Sequence, residues 1–165
     1  MAKPTKYAIH ICVLVTILAL IGIVLGLILS SSIVIVLFLF PVAIYEAYRT
    51  EGKSTKAASI LLVFILFLEL LFLVFGINLN LAEFLGASEK YIGGYWVPLG
   101  DIKVVAPAII AVLSIILFTK TWGVYTKWLA VVIFVTSFAI VYSLDLEIFQ
   151  NLLKFALDEG LRNVR

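Results

Sequence analysis

Glu69 stands alone among apolar neighbours, twelve residues into a run that extends over residues 57–75. An ionised side chain at the centre of a membrane helix costs about 2.5–3.5 kcal/mol on insertion scales. An acid kept there is therefore a functional-site hypothesis by default. One reading makes Glu69 a proton or cation site facing the interior of a helix bundle. The other makes it a structural carboxyl hydrogen-bonded to Ser114, Thr136 or Ser137, the hydroxyls nearest the middle of the later apolar runs. A proton relay needs several ionisable groups in series, and no second acid or base falls deep in any run. Glu46, near the end of its run beside Tyr45 and Tyr48, reads as solvated.

Other reactive side chains are few. His10 is the only histidine and Cys12 the only cysteine, which excludes an internal disulfide and a multi-cysteine metal centre within the chain. His10 reads as a hydrogen-bonded packing residue and Cys12 as a small apolar filler. The sequence carries no nucleophile elbow, Walker loop, dinucleotide fingerprint or paired-histidine zinc motif. No cofactor or metal is expected, and the residues argue against an enzyme. A lipid-modifying enzyme would have to draw on groups near a membrane surface, such as Glu46 or Asp101.

Composition dictates the kind of element that must carry these residues. Of 165 residues, 64% are apolar and 13% charged, with a mean hydropathy of +1.23. Soluble domains average roughly 45–50% apolar and about 25% charged. This chain could not cover its apolar surface in water, so lipid is its solvent. The net charge of +2 gives no ground for a nucleic-acid partner. Residues 7–45 contain no charge. As one helix they would extend about 58 Å, against a hydrocarbon core of about 30 Å. The run must double back, and Ser30, Ser31 and Ser32 form its polar interruption.

The fold class read from this pattern is an all-α integral membrane protein. It is a bundle of five transmembrane helices, or four if the first two form a re-entrant pair, followed by a C-terminal amphipathic helix. The spans fall at about residues 7–29, 31–48, 57–75, 103–118 and 128–144. One bundle domain thus covers residues 1–143, with an outer loop at 77–102 and the amphipathic segment at 144–165. The first run is longer than the roughly 7–15 residues of a signal-peptide core, so it reads as a span. Pro107 is expected in the first turn of the fourth helix.

Tryptophan and tyrosine prefer the membrane–water boundary. Five spans place Tyr7, Tyr45, Tyr48, Trp122, Tyr125 and Trp128 at one face, and Tyr91, Tyr95, Trp96 and Tyr142 at the other. With the N-terminus cytoplasmic, the inner face holds Lys3, Lys6, Arg49, Lys53, Lys56, Lys120 and Lys127. Lys90, Lys103, Lys154, Arg162 and Arg165 lie outside with the C-terminus. That bias follows the rule that short cytoplasmic loops are the basic ones.

The pieces between and after the spans offer surface. Asn80 and Glu83 suggest a short capped helix, and Gly93-Gly94 between aromatic arms suggests a tight hairpin. In the tail, Glu147, Asn151, Lys154 and Asp158 share one helical face, opposite Phe149, Leu152, Leu153 and Leu157. Gly22, Gly26 and Ser30 recur every fourth residue, a spacing that lets two helix backbones approach closely, within the chain or between copies. The leading expectation is a non-catalytic structural or accessory subunit of a larger or homo-oligomeric membrane assembly. Its partners would be lipid and other membrane subunits, or further copies of itself. The alternative is a small channel or transporter component that uses Glu69 as an intramembrane proton or cation site.

Overall fold

A computed structural model describes residues 7–77, 90–92, 95–97, 102–144, 146 and 149–150; residues 90–92, 95–97, 102 and 103 are described by backbone alone. Five helices dominate: α1 (Ala8–Ile28), α2 (Ser32–Arg49), α3 (Lys53–Phe75), α4 (Ile102–Lys120) and α5 (Val124–Leu144). Between α3 and α4 lie two short strands, β1 (Lys90–Ile92) and β2 (Tyr95–Val97). They pair antiparallel with Tyr91 opposite Trp96. Four helices, α1, α2, α3 and α5, are long and apolar enough to cross a membrane, and α4 is a shorter apolar helix. A chain of such helices is consistent with a membrane protein.

The helices outrun the apolar stretches at one end. α3 begins at Lys53 and α5 at Val124, each a turn earlier than hydropathy alone suggests, because lysine and threonine are compatible with a helix even where they end an apolar run. Pro107 falls in the second turn of α4 rather than the first. The short helix expected near residue 80 and the amphipathic segment at 144–165 lie outside the described residues, apart from isolated positions at the start of that segment.

Each turn has a local cause. Ser30 adopts a left-handed conformation (φ 48°), and the amides of Ser30 and Ser31 donate back to the carbonyls of Leu27 and Gly26. This paired closure satisfies carbonyls that a helix end would otherwise orphan. Gly76 (φ 62°) ends α3 in the same way, with the Ile77 amide on the Phe72 carbonyl. At the C-terminus of α2 the Lys56 ammonium donates to the Ala47 carbonyl. That places a cation where the helix dipole is negative.

Packing follows from the buried stripes. α1 turns inward Ala8, Cys12, Val15, Ala19, Gly22 and Gly26, small residues at alternating four- and three-residue steps. A β-carbon on Gly22 would overlap Phe38, and one on Gly26 would overlap Ile35. The Gly22–Gly26 pair therefore serves close contact between α1 and α2 within the chain. α2 also packs on α3 and α5, α3 on α4, α4 on α5, and α5 on α1. The result is a closed ring of five helices in which α2 and α5 also touch across the middle.

The bundle has an apolar core that also encloses polar groups, and an apolar exterior. Glu46, Arg49, Ser59, Glu69, Ser114, Thr126, Thr136 and Ser137 are buried, whereas leucine, isoleucine and phenylalanine line the exterior from Ile9 to Phe138. Buried polar groups and a continuous exposed apolar surface are the informative departures from a water-soluble protein. The α2–α3 and α4–α5 turns sit at one end of the bundle, where Glu51, Lys53, Ser54, Lys120 and Trp122 line a shared cavity of about 580 Å³. The start of α1 joins them there, with the Trp128 indole donating to Thr16 Oγ1 at 3.0 Å.

Candidate functional site

Glu69 is the last rung of the inward stripe of α3, after Thr55, Ser59, Leu62 and Leu66. It is 0% exposed. Helical rise puts it about 24 Å along α3 from Lys53 and about 9 Å short of Phe75. Ser114, Thr136 and Ser137 are likewise buried on the inner sides of α4 and α5. Each directs its own proton to a carbonyl of its own helix: Ser114 to Ala111, Thr136 to Val132 and Ser137 to Phe134. The hydroxyl oxygens retain acceptor capacity. Measured from the shared turns, Thr136 and Ser137 lie within about one helical turn of the level of Glu69, whereas Ser114 lies roughly 15 Å nearer the Lys53 end.

Glu46 differs from expectation. It is 1% exposed rather than solvated, and Arg49 beside it is 5% exposed. The physical reason is helical phase. The buried stripe of α2 runs through Ile35, Val36, Leu39, Val42 and Ala43, and three-residue steps carry it on to Glu46 and Arg49. The tyrosines that suggested an exposed end, Tyr45 and Tyr48, lie off that stripe. Extending the apolar period through the charged residues would have found the pair.

Around Glu46 three helices converge. Thr50 Oγ1 donates to Glu46 Oε1 at 3.0 Å. The Arg49 guanidinium lies 5.8 Å from the centroid of the Tyr45 ring and 5.3 Å from that of Tyr125 on α5, distances at which a ring face attracts a cation. From α1, Cys12 Sγ approaches the Tyr125 carbonyl at 3.9 Å. Glu46 Oε2, Arg49 Nε, Arg49 Nη1 and the Tyr45 hydroxyl are buried without a hydrogen-bond partner. In a native interior such groups are uncommon and call for an account.

His10 is also not where packing was expected. It is exposed on α1, with its ring 6.4 Å from that of Tyr7 in an edge-on arrangement. Cys12 is buried as a small filler. Among the described residues no group of three or more histidine, cysteine, aspartate or glutamate side chains could hold a metal ion. Comparison with family models, with curated proteins and with solved structures finds no match for this chain. Fold and site together are consistent with a helical membrane protein, and among the described residues its interior holds two acids, Glu46 and Glu69.

Proposed function

We propose that this protein is a five-span membrane protein that binds protons or cations inside its bundle, as a small channel or transporter component with Glu69 as the ionisable site. The complete burial of Glu69 on the inward stripe of α3 carries this reading. Intramembrane acids are costly and mark ion and proton pathways. The fifth span is α4, whose 19 residues measure about 28 Å and which packs between α3 and α5. The basic residues near the shared turns, Lys53, Lys56, Lys120 and Lys127, favour a cytoplasmic position for that end and for the N-terminus. Purified protein in liposomes is expected to pass protons or a monovalent cation down an imposed gradient. Glu69→Gln should abolish that flux while leaving the melting profile in detergent intact. Equal flux in the variant removes Glu69 from the function.

A second reading is a non-catalytic subunit of a larger or homo-oligomeric membrane assembly. It is favoured by the outer face of α1, where Ile9, His10, Val13, Leu14, Ile17 and Leu18 line a groove of about 540 Å³. A second membrane helix could lie there, as lipid chains could. Co-purification of another polypeptide, or a self-associated species that Leu14→Trp dissociates, supports this reading. A monomer in mild detergent, alone and unchanged by that substitution, counts against it.

A further inference from the structure

We propose that Glu46 is a second proton-binding site, separate from Glu69, in which the carboxyl takes up a proton beside the fixed positive charge of Arg49. The geometry supplies each part. One carboxyl oxygen, Oε1, is held by the Thr50 hydroxyl at 3.0 Å. The other, Oε2, is buried and accepts no hydrogen bond, so it is the oxygen to which a proton adds. The step is a simple association: a proton delivered by water at the shared-turn end forms the Oε2–H bond, and the carboxylate charge disappears. Arg49 keeps its charge throughout, since a guanidinium does not deprotonate in proteins.

Arg49 is what makes the site two-state rather than permanently neutral. Its guanidinium sits near the Tyr45 and Tyr125 rings, with Nε and Nη1 making no hydrogen bond. While Glu46 is ionised the two opposite charges, three residues apart on one helix face, compensate each other in the interior. When Glu46 is protonated the cation remains attracted to two aromatic rings, so neither state strands an isolated charge. The other groups facing the site are Cys12 from α1, within electrostatic reach of both charges, Tyr125 from α5, and Lys56 from α3, whose ammonium is held on the Ala47 carbonyl. None of them is a second carboxylate.

The position suits exchange with water. Glu46 lies one turn from the end of α2, about 5 Å along the axis from Arg49. The cavity at the shared turns, lined by Glu51 and Thr55 among others, begins five residues further along the chain. Glu69 sits far along the bundle from that end. The two acids are therefore independent sites, and loss of one does not entail loss of the other.

Infrared difference spectroscopy of the full chain in lipid nanodiscs, stepped through pH in ordinary and heavy water, tests the assignment. A protonated-carboxyl band that shifts on deuteration is expected, lost in Glu46→Gln and kept in Glu69→Gln. Arg49→Gln should make Glu46 hold its proton at least ~10-fold more tightly, because an opposite charge this near stabilises the ionised form by that order; Arg49→Lys should restore most of the difference. Should Glu46→Gln fail to fold, Thr50→Val provides the check. Loss of the bond to Oε1 must move the same band in frequency. A spectrum in which no pH-dependent carboxyl band responds to Glu46→Gln or to Thr50→Val overturns the proposal.

Discussion

Arg49 and Glu46 bring two opposite charges into the bundle interior. Removing one member of a buried pair of opposite charges leaves the other uncompensated, at about 3–5 kcal/mol. Replacing both with apolar side chains of similar size is often neutral. Arg49→Met is therefore expected to lower the thermal midpoint in detergent strongly at alkaline pH, where Glu46 must ionise alone, and little at acid pH, where it takes up a proton; Glu46→Leu/Arg49→Met together should recover most of the loss. A double variant as unstable as the single one would show that packing of the arginine stem, rather than charge, holds this end together. The Trp128–Thr16 hydrogen bond is a smaller matter. Membrane hydrogen bonds between helices average about 0.6 kcal/mol, and Trp128→Phe should cost that order.

Among the elements, α1 depends on having almost no side chain where it meets α2. Gly22→Ala places a methyl against the Phe38 β-carbon, which no rotamer of Phe38 can move. Gly26→Ala meets the outer atoms Cγ1 and Cδ1 of Ile35. Each is expected to destabilise by about 1–3 kcal/mol, the usual range for overpacking. Ile35→Ala should partly rescue Gly26→Ala in a double-mutant cycle, while truncation of Phe38 to alanine leaves Gly22→Ala unrelieved. Gly76→Ala makes a clean contrast. Nothing lies within 4 Å of the added carbon, so its cost is the backbone strain of a left-handed residue, about 1–2 kcal/mol. Thermal melts of the three glycine variants separate close approach from conformation.

At the scale of the molecule, the shared end makes a topological prediction. In the proposed five-span arrangement the residues near the α2–α3 and α4–α5 turns face one side of the membrane, and the α1–α2 turn the other. In a Cys12→Ala background, cysteines replacing Ser54 and Trp122 are expected to react with an impermeant maleimide from the same side of sealed vesicles. A cysteine replacing Leu29 should react only from the opposite side. Labelling of Leu29 from the same side as Ser54 would favour the re-entrant, four-span arrangement. All three positions are exposed on the bundle, so their reactivity reports sidedness rather than burial.

Much of this protein is legible in the linear chain, because the length and apolar character of its helices are set by composition. An uncharged run too long to cross once, the serines that break it, the isolated acid at Glu69 and the small residues at 22 and 26 are properties of the linear chain. Helical periodicity was legible too, but hydropathy stops at the first charge, so Glu46 and Arg49 passed for the solvated end of a run. Their burial was decided by tertiary packing. α2 touches α1, α3 and α5 together, and only a helix enclosed on so many sides turns its terminal charges inward. The pairing of Arg49 with Tyr125, a ring 76 residues away in sequence, has no local signal at all, since it exists only where two helices cross.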